Sequence, residues 1–118
     1  MPRSEFIQHA GHRILRVDLT GLSPDEFVAE YQKAMRLVVA QPARSVRLLT
    51  LPSAQFDERM ANAVRSWAPK KAKHALAEAM VGASTVHKLL FLGNKAKYNL
   101  EREVFDDEQA AKDWLASR

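Results

Sequence analysis

The sequence contains no cysteine, and this absence excludes disulfide bonds, thiolate nucleophiles and metal sites with sulfur ligands. It has no apolar run near the roughly 20 residues that span a bilayer, and its first residues lack the apolar core of a signal peptide. Glycine-rich phosphate loops and the Gly-x-Ser-x-Gly turn of serine hydrolases are also absent. These absences predict a cytoplasmic, non-enzymatic protein without a cofactor.

What is present is typical of one globular domain. The chain has 118 residues, of which 47% are hydrophobic and 27% are charged, and it shows no repeat or glycine-rich linker. The formal net charge of +4 is uneven: residues 57–97 hold eight basic and three acidic side chains, whereas residues 98–118 hold three basic and six acidic ones. A basic middle suits an anionic partner, and it equally suits an ordinary solvated surface.

Hydrophobic periodicity predicts strands that alternate with helices. The strands are predicted at residues 6–8, 12–19, 46–51, 76–81 and 103–105. The helices are predicted at residues 24–40, from a turn at residues 52–55 to Ala68, after a cap at Ser84, and after a cap at Asp106 or Asp107. Ala10-Gly11 is typical of a hairpin turn. Ser23 and Glu26 form a capping box, and Pro69 ends or kinks the second helix after Ala68.

This order of elements predicts the α/β class, with a single domain over residues 1–118. We expect a mixed, mostly parallel sheet of four to five strands, with an initial hairpin and four helices. Polar residues inside the strands indicate either a thinly covered sheet face or pairing across strands; they are Arg16, Asp18, Arg47 and Glu78. A thinly covered face would also favour a homodimer.

Four segments together resemble the SpoIIAA-like branch of the STAS domains, the class that contains bacterial anti-sigma-factor antagonists. They are residues 11–19, the helix start at Ser23-Pro24, the strand at residues 46–50 with the turn to Phe56-Asp57, and the ending at residues 104–115. Their order and spacing carry the match over a core of about residues 11–115. The resemblance implies the hairpin-led mixed sheet and a role in protein interaction or ligand sensing.

In the antagonist family, a serine in the loop after the central strand is phosphorylated to switch partner binding. The corresponding loop here is residues 50–55, which lacks the Asp-Ser-Ser-Gly type of motif, and Ser53 is the approximate positional match. The leading hypothesis is therefore a regulatory or protein-interaction module. Its predicted partner-binding residues are Thr50, Ser53, Gln55, Asp57 and Arg59.

A ligand carrier is the alternative function. The resemblance extends to Sec14-related proteins, which hold lipids or other apolar ligands between helices and sheet. In this chain the predicted pocket for a small apolar ligand lies between the sheet and the helices that carry Trp67, Leu89, Leu90 and Phe91.

Other kinds of site are disfavoured. The four histidines lack the spacing of metal ligands, so no metal site is predicted. Lys70-Lys71-x-Lys73 is a basic cluster, but the nearby Trp67 lies on the apolar stripe of its helix, which argues against nucleic acid. A third hypothesis is an enzyme centred on Asp18 or Glu78, although both are more simply ion-pair partners of Arg16 or Arg47.

Overall fold

Strands and helices alternate along the chain in the computed structural model, which describes residues 2–53, 57–82 and 100–118. The strands are β1 (Ser4–His9), β2 (His12–Asp18), β3 (Val46–Leu51), β4 (Ala75–Val81) and β5 (Glu101–Phe105). The helices are α1 (Pro24–Val39), α2 (Glu58–His74) and α3 (Glu108–Ala116). The α/β class is confirmed. The described ranges hold three helices where four were predicted for the whole chain, and the helix predicted after Ser84 lies outside them.

The five strands form one sheet in the order β1-β2-β3-β4-β5. β1 is antiparallel to β2, and every other neighbouring pair is parallel, which confirms the mixed sheet with its initial hairpin. The hairpin turn places Ala10 at φ 50° and Gly11 at φ 80°. Two consecutive positive φ values are typical of the tight turns that match the twist of a two-stranded ribbon.

The helices cover the two faces of the sheet unequally. The parallel strands follow one another in sheet order. Right-handed crossovers between such strands place successive helices on the same face of the sheet. α1 and α2 therefore lie on one face, where they pack against each other. The larger core lies beneath them and includes Leu15, Val17, Phe27, Met35, Leu48 and Met60. Among the described helices, the nine-residue α3 is the one that packs on the opposite face, over Ile14, Leu49, Ala77 and Ala79.

Each of the three described helices begins at a local cap. Ser23 and Glu26 form the predicted capping box at α1, and the Asp107 side chain accepts a hydrogen bond from the Gln109 backbone N–H at α3. At α2 the cap is Asp57, so this helix begins at Glu58 instead of directly after the turn at residues 52–55.

Of the two predicted effects of Pro69, the end of the second helix after Ala68 is wrong, because α2 continues through Pro69 to His74. A kink at Pro69 stays a prediction. Proline removes the hydrogen bond to the carbonyl four residues earlier, which belongs to Arg65. Pro69 and Arg65 are both exposed, so water can reach the carbonyl that loses its donor. Within the described ranges no helix is both long and apolar enough to cross a bilayer.

Candidate functional site

The sheet face under α1 and α2 encloses a group of polar and charged side chains. We call it the buried ionic cluster, and it consists of Tyr31, Lys71, Glu78 and Arg102. The Lys71 Nζ lies 3.0 Å from one carboxylate oxygen of Glu78, and the Arg102 Nε lies 3.0 Å from the other. These three side chains are only 3–4% exposed. Glu78 and Arg102 are register partners on adjacent strands, and Lys71 reaches them from the last turns of α2.

Tyr31 joins this cluster from α1. Its ring stacks on that of Phe27, and the residue is 5% exposed. Among the described residues its hydroxyl has no hydrogen-bond partner of good geometry. Burial raises the pKa of Tyr31, while Lys71 and Arg102 act in the opposite direction and Glu78 reinforces the rise. The hydroxyl therefore stays protonated and remains available as a donor.

The buried ionic cluster holds two cations for one carboxylate. Glu78 is the only acidic residue between Glu58 and Glu101, so this long stretch supplies no second carboxylate. Burial of an unbalanced charge costs several kcal/mol of effective desolvation. A site with excess positive charge favours an anion that can share the Lys71 and Tyr31 donors.

The outer side of α2 carries the same sign of charge. Among residues 59–74 the exposed charged side chains are all cations, namely Arg59, Arg65, Lys70 and Lys73. Arg59 pairs with Asp25 at 2.5 Å, and the others make no ion pair with a described residue. We call Arg65, Lys70 and Lys73, together with the exposed Arg44 of the α1–β3 loop, the basic face.

The predicted regulatory residues separate into buried and exposed groups. Thr50 is 7% exposed and Ser53 is 4% exposed, so both hydroxyl groups lie inside the protein. Asp57 and Arg59 are exposed at the start of α2, where Asp57 accepts a hydrogen bond from the Met60 backbone N–H at 2.9 Å. Gln55 lies outside the described residues. The Met60 amide at the start of α2 is thus already bound by Asp57 and does not bind a phosphate near Ser53.

The predicted ligand pocket is described at one residue only. Trp67 is half-buried, packs against the larger core and lies 5.2 Å below the Lys70 ammonium group. Leu89, Leu90 and Phe91 lie outside the described residues.

The ion pairs expected for the strand carboxylates are different from those observed. Glu78 binds Lys71 and Arg102 instead of Arg16 or Arg47, because those two arginines lie on the opposite face of the sheet, towards α3. Asp18 accepts hydrogen bonds from the backbone N–H and the hydroxyl of Thr20. Burial acts to raise the pKa of Asp18, but these bonds, together with the positive charges of Arg16 and Arg3, outweigh it and the pKa is lowered.

The histidines are tied into the fold separately. His9 Nε2 lies 2.7 Å from the Asp113 carboxylate, which links the hairpin to α3, and His74 Nδ1 lies 2.8 Å from the Gln41 backbone carbonyl. In the described part of the chain no three His, Asp or Glu side chains converge as metal ligands.

The contact of Tyr31, Lys71 and Arg102 with Glu78 was not predicted from the sequence. The only signal was Glu78 itself, an acid inside an otherwise apolar strand. In comparisons with known proteins, no family model, curated protein or solved structure matches this chain.

Proposed function

We propose that this chain is a non-enzymatic interaction module, and that it docks an acidic surface of another protein through its basic face. The observation that carries the proposal is the charge of residues 59–100, in which the only acid, Glu78, is buried and ion-paired. Of the exposed cations of α2, only Arg59 forms an ion pair with a described residue. Such a surface attracts anionic partners and orients them during the encounter.

A protein partner fits this surface better than a nucleic acid. Proteins that bind single strands combine cations with exposed aromatic rings on which bases stack. Trp67 is the aromatic residue of α2, and it is half-buried against the core. Within the described ranges the basic face thus offers charge without a stacking platform, which favours recognition of carboxylates.

The regulatory part of the proposal concerns Ser53. The resemblance to the antagonist family supports it, whereas the burial of Ser53 requires that a kinase gain access to a side chain that is 4% exposed. A Ser53→Ala variant that binds the native partner as the wild type does, under every condition of growth, would remove Ser53 from the proposal.

Photocrosslinking in the native host tests the docking face. A photoreactive amino acid at Ser66, which lies among the exposed cations of α2, should capture a polypeptide with an acidic surface. The same residue at Ala110, exposed on α3 on the opposite side of the sheet, should not capture it. Lys70→Glu with Lys73→Glu should abolish the Ser66 crosslink, because the reversed charges repel the partner. A crosslink that survives the charge reversal, or one that nuclease removes, would contradict the proposal.

A small-molecule carrier is the second candidate function, and the excess positive charge of the buried ionic cluster favours it. We propose that the carried molecule has one anionic head group, which would balance Lys71 and accept a hydrogen bond from Tyr31. Native mass spectrometry of the protein purified gently from its host should then show a small mass that denaturation removes. Tyr31→Phe should reduce the retained fraction without unfolding the protein. A chain with no added mass would exclude this candidate.

A further inference from the structure

A shallow depression lies between the α1–β3 loop and the end of α2, and two residues of the basic face line it. Its volume is about 410 Å³, and it is lined by Ala43, Arg44, Ala72, Lys73 and His74. Two cationic side chains from different elements therefore line one concavity together with two alanines.

The backbone that carries these side chains is fixed. The Arg44 N–H donates to the Lys73 carbonyl at 3.0 Å, and the Ser45 N–H donates to the His74 carbonyl at 2.9 Å. The loop thus satisfies the last carbonyls of α2, which would otherwise lack donors. His74 Nδ1 donates to the Gln41 carbonyl, because a carbonyl only accepts, and this bond sets the orientation of the ring.

Arg44 has an unusual backbone conformation. Its φ is 52°, in the left-handed region where glycine is normally preferred. Residues held there against their preference tend to cluster at functional sites. Neither Arg44 nor Lys73 forms an ion pair with a described residue, and residues 54–56 and 83–99 contain no acid. The chain therefore keeps a strained arginine at this place without using its charge internally.

We infer that the depression binds a glutamate or aspartate side chain of the partner, and that this contact anchors the docking on the basic face. The inference rests on the proposed function. A guanidinium group binds a carboxylate through two parallel N–H donors, and the Lys73 ammonium, which also lines the depression, adds a point charge. The volume is ample for one acidic side chain.

Fluorescence anisotropy with a fluorescein-labelled hexaglutamate peptide at low ionic strength tests the anchor. Arg44→Gly should weaken binding about threefold, as should Lys73→Ala, since each removes one exposed ion pair. Lys112→Ala, a lysine on the opposite face of the sheet, should leave binding unchanged. Arg44→Gly should also unfold at a higher temperature than the wild type, because glycine adopts a positive φ without strain. Weaker binding by a more stable variant cannot result from damage to the fold.

Two outcomes separate the anchor from the docking face. Peptide binding that Lys70→Glu weakens and that Arg44→Gly leaves unchanged would overturn the anchor and retain the basic face. A Ser66 crosslink that charge reversal does not affect would overturn both.

Discussion

The two faces of the sheet each hold a carboxylate between two cations, in different surroundings. The face under α1 and α2 holds Lys71, Glu78 and Arg102, and the face under α3 holds Arg16, Glu108 and Lys112. The nitrogen–oxygen distances are 3.0–3.1 Å in both groups, but the side chains are 3–4% exposed in the first and 24–29% exposed in the second. Equal distances therefore do not imply equal energies, because water screens the second group and is excluded from the first.

The largest effect is expected from Glu78→Ala. It leaves Lys71 and Arg102 buried without their carboxylate, and the loss of one partner of a buried pair costs about 3–5 kcal/mol. Since a domain of this kind is stable by roughly 5–15 kcal/mol, the variant should lose about a fifth or more of its free energy of unfolding. Urea denaturation followed by circular dichroism measures this loss.

A triple variant sharpens the comparison. Lys71→Met, Glu78→Leu and Arg102→Met together replace the charges with apolar side chains, and such replacements are often neutral or stabilising. The triple variant should thus be more stable than Glu78→Ala alone. A triple variant that is equally unstable would show that the buried ion pairs stabilise the fold by their attraction. Under the carrier candidate, it should also lose the retained small mass.

This cluster marks a limit of prediction from sequence. The strands β3 and β4 were predicted, yet Glu78 was expected to pair with Arg16 or Arg47. The register places Glu78 beside Leu48, whose neighbour Arg47 lies on the other face. Which face an acid occupies depends on the pairing between strands and on the bulge near Val46, and neither can be obtained from the local sequence.

Local signals were more reliable. The Ala10-Gly11 turn, the Ser23–Glu26 capping box and the strand Val46–Leu51 were predicted correctly, because each depends on a few adjacent residues. The helix does not end at Pro69, because the packing of α2 against α1 outweighs one lost hydrogen bond.

The candidate site was only partly predictable. The basic character of residues 57–97 and the place of Asp57 and Arg59 at the second helix were available from the sequence. The depression at Arg44 was not, because it depends on a loop and a helix end that are 29 residues apart and are joined by backbone hydrogen bonds.

A smaller effect is expected from Arg47→Ala under α3. The Arg47 guanidinium donates to the backbone carbonyls of Leu115 at 3.0 Å and Arg118 at 2.8 Å. α3 has no basic residue in its last turn, so Arg47 supplies the cation that its carbonyl end favours. The variant should lose about 2 kcal/mol, with faster hydrogen exchange in α3 than in α1. Arg47→Lys should lose less, because it keeps the charge. Unchanged exchange in α3 would show that Arg47 does not hold the helix.

The smallest effect is expected from Glu108→Gln, and it should depend on pH. The hydrogen bond from Arg16 lowers the pKa of Glu108 below its ordinary value of 4.5, burial opposes this, and Lys112 adds to the lowering. A lowered pKa in the folded state means that the carboxylate stabilises the fold above its ordinary pKa, and that this contribution is lost as the pH falls through the lowered value.

Near neutral pH the variant should be less stable than the wild type by about 0.5–1 kcal/mol, as for other partly exposed ion pairs. At about pH 3 the difference should shrink towards zero. Urea denaturation of both proteins at the two pH values gives this difference directly, and the other carboxylates cancel in it. A difference of equal size at both pH values would mean that Glu108 acts through its shape and hydrogen bonds alone, and the contrast between the two faces would then not be one of screened and unscreened charge.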